Sequence, residues 1–155
     1  MNWQSLTLLA LATLLYAGYN LFVKQSADQV GPIATTTIGA TIALQAAALA
    51  TSLVFALLLR YQGVHTLSLP GGAYLWAIAG GLCIGVAEIL YFYLFAGFAG
   101  AEPVKVAVAT PTIVSGTIVI ALIAAWLVFG ETIRPAQWLG AGLVVLGLML
   151  LFRTS

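Results

Sequence analysis

The sequence predicts an all-α integral membrane protein, a single domain over residues 1–155 that crosses the bilayer five times. The first observation is composition, because 63% of the residues are hydrophobic and only 6% are charged, with a mean hydropathy of +1.12. Soluble domains carry roughly 25% charged residues, so this chain has too little polar surface to face water on all sides. The second observation is a set of five apolar segments, each long enough to cross a bilayer as a helix. The net charge of +1 gives no indication of a nucleic-acid partner.

The first two spans are predicted at about 3–23 and 32–59, on either side of a polar stretch that runs from Lys24 to Pro32. Backbone N–H and C=O groups must be paired inside hydrocarbon, so each span is expected to be a helix. The second span is longer than a helix perpendicular to the membrane requires, and we expect it to tilt or bend.

The last three spans are predicted at about 72–98, 104–129 and 136–152. The breaks that precede them contain glycine, proline and charged residues, which commonly end helices. Pro111 lies inside the fourth span, where it frees a carbonyl about one turn earlier and is expected to kink the helix.

The loops give only a weak indication of orientation. All four tryptophans lie near the side of the N-terminus, as expected for interfacial anchors; they are Trp3, Trp76, Trp126 and Trp138. Basic residues divide almost evenly between the two sides, with Arg60 and Arg134 opposing Lys24, Lys105 and Arg153. The chain is therefore expected either to insert in both orientations, which allows an antiparallel homodimer, or to insert in one orientation with a weak bias.

Glu88 is the most informative residue, because it lies near the middle of the apolar stretch from Ala73 to Gly97. A charged side chain at that depth costs roughly 3 kcal/mol, and such residues usually have a function. Residues three, four and seven apart share a helix face, and we read this face as Gly81, Gly85, Glu88, Tyr91, Phe92 and Phe95. The glycine spacing favours the close approach of another helix.

A carboxylate beside aromatic rings suits an organic cation, through charge pairing and cation–π attraction. It also suits a proton, since removal from water favours the neutral form of a carboxyl group. Competition between the two for Glu88 is the minimum requirement for proton-coupled exchange. The alternative is a structural residue that pairs with Lys24 or with a hydroxyl group and transports nothing.

The first span carries a polar stripe of Tyr16, Tyr19 and Asn20, which Lys24 follows one turn later. Lys24 either extends outward to the interface or folds back to Glu88. In the second case, the site would suit amino acids or anionic metabolites better than a bare cation.

The remaining polar residues support binding and not catalysis. Gln45, in the second span, needs a partner in mid-membrane and is expected to face the same interior as Glu88. Cys83 and His65 do not form a cluster with metal-ligand spacing. The sequence has no nucleophile–base pair and no phosphate-binding glycine loop, so it predicts neither an enzyme nor a cofactor.

The stretch from Tyr91 to Leu151 resembles the EamA domain of the drug/metabolite transporter superfamily. It combines an aromatic-rich third helix, a fourth helix with an internal proline, and an Ala/Gly-rich fifth helix. The most specific part is the pattern GE-x-x-x-P-x-Q-W-x-G-A, which begins at Gly130. The sequence YAGYNLFVK, from Tyr16 to Lys24, is similar to the opening of the family.

Typical members of that family have ten spans, in two five-span halves of inverted orientation. The resemblance therefore implies an inverted-repeat-like homodimer that exports a solute across the cell (inner) membrane by alternating access. Small multidrug-resistance relatives keep their coupling glutamate in the first helix, whereas here Glu88 is in the third, so proton coupling depends on its burial alone. Glu131 matches a loop glutamate of the family and is expected to cap the fifth helix or pair with Arg134.

These observations predict an exporter of a small amphipathic solute, organic cation or metabolite, with a central cavity lined by the first four helices of each copy. The candidate binding residues are Glu88, Tyr91, Phe92, Tyr16, Tyr19, Asn20, Lys24 and Gln45. The fifth helix, with Gly140, Gly142 and Gly147, is the predicted dimer contact.

Two alternatives stay open. One is a lipid-carrier flippase or a subunit of one, in which Lys24 and Lys105 would hold an anionic head group. The other is a membrane scaffold that transports nothing.

Overall fold

The computed structural model describes residues 2–63 and 68–153. These residues form α1 (Trp3–Val30), α2 (Ala34–Tyr61), α3 (Gly71–Ala96), α4 (Val106–Leu127) and α5 (Pro135–Arg153). All five helices are long and apolar enough to cross a membrane, so the predicted all-α membrane fold with five spans is confirmed. Part of the predicted loop between the second and third spans, including His65, lies outside the described residues.

Helix α1 continues past the predicted end of the first span, from position 23 to Val30. Apolar residues stop at Lys24, but a helix can continue where it leaves the hydrocarbon for the polar head-group region. At 1.5 Å per residue, the 28 residues of α1 extend over about 42 Å, whereas the hydrocarbon is about 30 Å thick. The helix ends at Gly31, whose φ of +66° is left-handed. The ends of the other four helices lie within about two residues of their predicted positions.

The helices pack in two compact units, Met1–Pro103 and Val104–Ser155. In the first unit, α1, α2 and α3 pack against one another. Its most deeply buried side chains are Val23, Ala27, Thr37, Thr41, Phe92 and Phe95. The predicted single domain stays a prediction.

The second unit consists of α4 packed against α5. The rings of Trp126 and Trp138 meet edge to face, with their centroids 6.4 Å apart, which places both tryptophans at the same end of this helix pair. Helix α4 remains a single helix through Pro111, and the predicted kink stays a prediction.

Threonine hydroxyls inside the first unit bond to their own helix, as threonines in membrane spans commonly do. The Thr37 hydroxyl donates to the Ile33 carbonyl, and the Thr41 hydroxyl donates to the Thr37 carbonyl, each at 3.0 Å. Both side chains are buried, and among the described residues they are the only buried polar side chains of α2. Each hydroxyl therefore has an acceptor within its own helix.

The turn after α3 requires a glycine. Gly97 has a φ of +83°, and a Cβ atom built on it would lie 2.8 Å from the carbonyl oxygen of Ala101. A side chain at this position would therefore be strained and would also collide with the backbone. The turn ends at Pro103, before the start of the second unit.

Candidate functional site

Glu88 lies on the buried face of α3, with 7% of its surface exposed. The other buried residues of this helix are Tyr91, Phe92, Phe95 and Ala96. Their spacing of three, four, seven and eight residues from Glu88 places them on the same face. Helix α3 therefore presents one carboxylate and three aromatic rings to its neighbours in the first unit.

The partner of Glu88 is Tyr19 on α1, whose hydroxyl donates a hydrogen bond to Oε2 of the carboxylate. This contact is the hydroxyl pairing that the structural alternative required. A hydroxyl donor is neutral, however, so it lowers the cost of burying a carboxylate without cancelling its charge. Within the described part of the first unit, no Lys or Arg lies within ion-pair distance of Glu88.

A second hydrogen bond joins the same two helices. The Tyr91 hydroxyl donates to Oδ1 of Asn20 at 2.7 Å, so adjacent residues of α1 bind residues one turn apart on α3. The rings of Tyr19 and Tyr91 are nearly parallel, at 20°, with centroids 6.3 Å apart. The Tyr91 ring also packs on Phe95, with a centroid distance of 4.6 Å. We call Tyr19, Asn20, Glu88 and Tyr91 the α1–α3 cluster.

Two predicted wall residues lie at opposite extremes of exposure. Phe92 is fully buried beside the cluster, with 1% of its surface exposed. Tyr16 is 70% exposed and meets the Tyr19 ring edge to face at 6.4 Å. Tyr16 thus forms the outer margin of the α1–α3 cluster and not its interior.

Lys24 is not part of the cluster. It forms an ion pair with Asp28, one turn further along α1, and both side chains are at least partly exposed. The pair lies beyond the predicted end of the first span and was not predicted, although the spacing of four residues is typical of helical ion pairs. The structure therefore gives no contact that would make the site of Glu88 zwitterionic.

Gln45 approaches α3 close to Glu88 but is exposed. Its amide nitrogen lies 3.5 Å from the carbonyl oxygen of Gly85, a long hydrogen bond. Gly85 precedes Glu88 by three residues, so Gln45 contacts the same face of α3 one turn away. At Gly81, a Cβ atom would meet nothing within 4 Å, and the close helix approach predicted there is not seen among the described residues.

Two further predicted residues lie apart from the cluster. Cys83 is exposed on α3. At the start of α5, the side-chain acceptor for the Arg134 N–H is Gln137, at 2.7 Å. Gln137, and not Glu131, makes this contact at the start of α5.

The geometry of the cluster suits the binding of a small positive species. Glu88 offers carboxylate oxygens that one hydroxyl donor only partly satisfies, and two stacked phenol rings, those of Tyr19 and Tyr91, lie beside them. An ammonium group gains both from pairing with a carboxylate and from the face of an aromatic ring. A proton gains only from the carboxylate.

The sequence model of the EamA-like transporter family matches residues 3–153 of the chain, a range that contains all five helices. No curated protein and no solved structure matches the chain. The family match confirms the resemblance predicted from residues 91–151 and from residues 16–24, at the end of the first predicted span.

Proposed function

Because the chain belongs to the EamA-like transporter family and is a multi-pass membrane protein of transporter type, we propose that it exports a small amphipathic organic cation by alternating access. We place this activity in the cell (inner) membrane. The observation that carries the proposal is the burial of Glu88, at 7% exposure, with a neutral hydroxyl as its hydrogen-bond donor.

A carboxylate at Glu88 without a basic partner favours the binding of a cation. At an effective dielectric constant of about 20, a cation about 4 Å from the carboxylate gains roughly 4 kcal/mol. Contact with the Tyr19 and Tyr91 rings adds about 0.5–2 kcal/mol. Both gains are reduced by the loss of the cation's hydration, so the proposal favours a weakly hydrated cation, such as a quaternary ammonium, over a small inorganic ion.

Proton coupling follows from competition for the same oxygen atoms. Protonation of Glu88 removes the charge that attracts the cation, and a bound cation opposes protonation. Affinity for the cation should therefore fall as the pH falls. Exchange of one for the other across the membrane would use the proton gradient to drive export.

An anionic substrate, as in the lipid-carrier alternative, has less support. Lys24 is offset by Asp28, and the α1–α3 cluster contributes a negative charge. A head group with a phosphate would therefore meet repulsion at Glu88.

We also propose that two copies form the transporting unit, in antiparallel orientation. The nearly even division of basic residues permits both insertions. The surface of α5 at Gly140, Gly142 and Gly147 is open, since a Cβ atom at each would meet nothing within 4 Å. Helices with small residues on such a surface can approach each other closely.

The dimer proposal can be tested by labelling a cysteine placed at either terminus, in a Cys83→Ser background, from each side of the membrane. Labelling of each terminus from both sides supports the antiparallel pair. Labelling from one side alone contradicts it.

The function is tested by transport of a labelled tetraalkylammonium ion into proteoliposomes across a pH gradient. The charge of such an ion does not change with pH, so any pH dependence belongs to the protein. We expect Glu88→Gln to abolish gradient-driven transport, whereas Glu102→Gln, in the exposed turn after α3, should leave it intact. Equal transport by Glu88→Gln and the natural protein contradicts the proposal. Failure of both the natural protein and the control to transport favours the scaffold alternative.

A further inference from the structure

A groove of about 560 Å³ runs between α1 and α2 in the first unit and ends against α3. Its lining is apolar except for Tyr19 and Ser26. The space results from small residues, which include Gly18 on α1 and Ala40, Ala43 and Ala47 on α2. The three alanines recur at three and four residues, and so they form one continuous strip along α2.

The groove follows α1 mainly through its membrane-spanning part and reaches Ser26, just beyond Lys24. From Leu14 to Ser26 it follows about 18 Å of helix, at 1.5 Å per residue. Leu14 and Phe22, on its edge, are exposed, so one side of the groove is open. A length of about 18 Å and a volume of about 560 Å³ suit an extended aliphatic chain better than a compact ring system.

The groove shares one residue, Tyr19, with the α1–α3 cluster. Tyr19 lines the groove and donates its hydroxyl to Glu88. Phe92 closes the groove against α3 and follows Glu88 by one turn on the same buried face. A molecule in the groove would therefore have an apolar part against the alanine strip and a polar end beside Tyr19, one side chain away from the carboxylate of Glu88.

On the premise of the proposed function, we infer that the groove binds the aliphatic tail of the transported solute while Glu88 holds its cationic head. The solute class is thus a single-chain alkylammonium compound. A chain without a positive end gains nothing from Glu88, and a cation without a chain leaves the alanine strip uncovered. A molecule with both parts contacts the alanine strip through its chain and Glu88 through its positive charge.

The test compares two probes, dodecyltrimethylammonium and tetramethylammonium, in lipid nanodiscs. They share a head group and differ in the tail. For each probe, we take the ratio of Kd for a variant to Kd for the natural protein. Partition of the probe into the bilayer is the same in both measurements and cancels from the ratio.

Ala43→Leu and Ala47→Leu fill the groove at two different points. If one variant fails to fold, the other still tests the inference. Each should weaken dodecyltrimethylammonium binding about tenfold or more, equivalent to an overpacking cost of about 1.4 kcal/mol. Tetramethylammonium binding should change less than about twofold, because the head group does not reach the strip. Ala46→Leu, which is exposed and does not line the groove, is the matched control and should affect neither probe.

Unchanged dodecyltrimethylammonium binding in both groove variants overturns the inference. If those variants instead lose a co-purified phospholipid, the groove holds a bilayer lipid. If they instead dissociate the oligomer, it holds a second copy of the chain. In each of these outcomes, Glu88-dependent binding of tetramethylammonium would persist and the proposed function would stand. Absence of binding of either probe to the natural protein would remove both.

Discussion

The Tyr19–Glu88 hydrogen bond should be the strongest side-chain link between α1 and α3. A double-mutant cycle with Tyr19→Phe and Glu88→Ala isolates its energy, because the cycle subtracts the effect of each substitution alone. Hydrogen bonds to charged groups contribute about 1.5–3 kcal/mol in soluble proteins. Interhelical hydrogen bonds measured in a membrane protein average about 0.6 kcal/mol and reach about 1.7 kcal/mol.

Because Glu88 is buried and accepts from a phenol, we expect the coupling to lie at the upper end of the membrane range, at about 1–2 kcal/mol. The assay is reversible unfolding in mixed micelles, with helicity followed by circular dichroism during titration with a denaturing detergent. Each substitution removes one partner of the bond and leaves the packing of the Tyr19 ring in place.

The matched control is Tyr74→Phe combined with Glu88→Ala. Tyr74 precedes Glu88 by 14 residues on α3, a separation of about 21 Å along the helix, so this pair should be additive to within about 0.5 kcal/mol. Additivity of the Tyr19 and Glu88 substitutions to the same degree would refute the assignment of Tyr19 as the partner of Glu88. Equal coupling of Tyr19 and Tyr74 to Glu88 would show that the measured coupling does not come from a direct contact, and it would also refute the assignment.

Three smaller changes probe other parts of the account. Gly97→Ala should lower the unfolding free energy by about 2–3 kcal/mol, from backbone strain and the close carbonyl of Ala101; thermal unfolding in micelles checks this, and no loss of stability would contradict the turn geometry. Gly100→Ala, with a φ of +86° but open space around it, should be less destabilising than Gly97→Ala, and the reverse order would be inconsistent with the contact. Lys24→Ala should change stability by no more than about 0.5 kcal/mol, since its pair with Asp28 is partly exposed. Alkylammonium binding should be unchanged in this variant, and a large loss would place Lys24 in the site.

Much of the fold could be predicted from the sequence because membrane spans follow from apolar length alone. The five helices depend on runs of apolar residues, and their ends on glycine and proline, both of which are local features. The exception was the end of α1, because Lys24 and Asp28 are polar and yet continue the helix. Local polarity marks the membrane boundary, which is a different property from the end of a helix.

The candidate site was predictable only in part. The buried face around Glu88 follows from helical periodicity, since Tyr91, Phe92 and Phe95 recur at the right spacing. The partners across the helix interface do not follow, because pairing of Tyr19 with Glu88 and of Asn20 with Tyr91 depends on the relative rotation and depth of α1 and α3. Periodicity within one helix contains no information on either quantity.

We propose that one carboxylate, that of Glu88, binds either a proton or the solute. Calorimetry of tetramethylammonium binding, in buffers of different ionisation enthalpy, gives the number of protons released per bound cation. For the natural protein, we expect release to rise towards about one proton per cation as the pH falls, and for Glu88→Gln we expect weak binding without release. Tight binding with the same proton release in Glu88→Gln, or binding to the natural protein without release at any pH, would contradict the account.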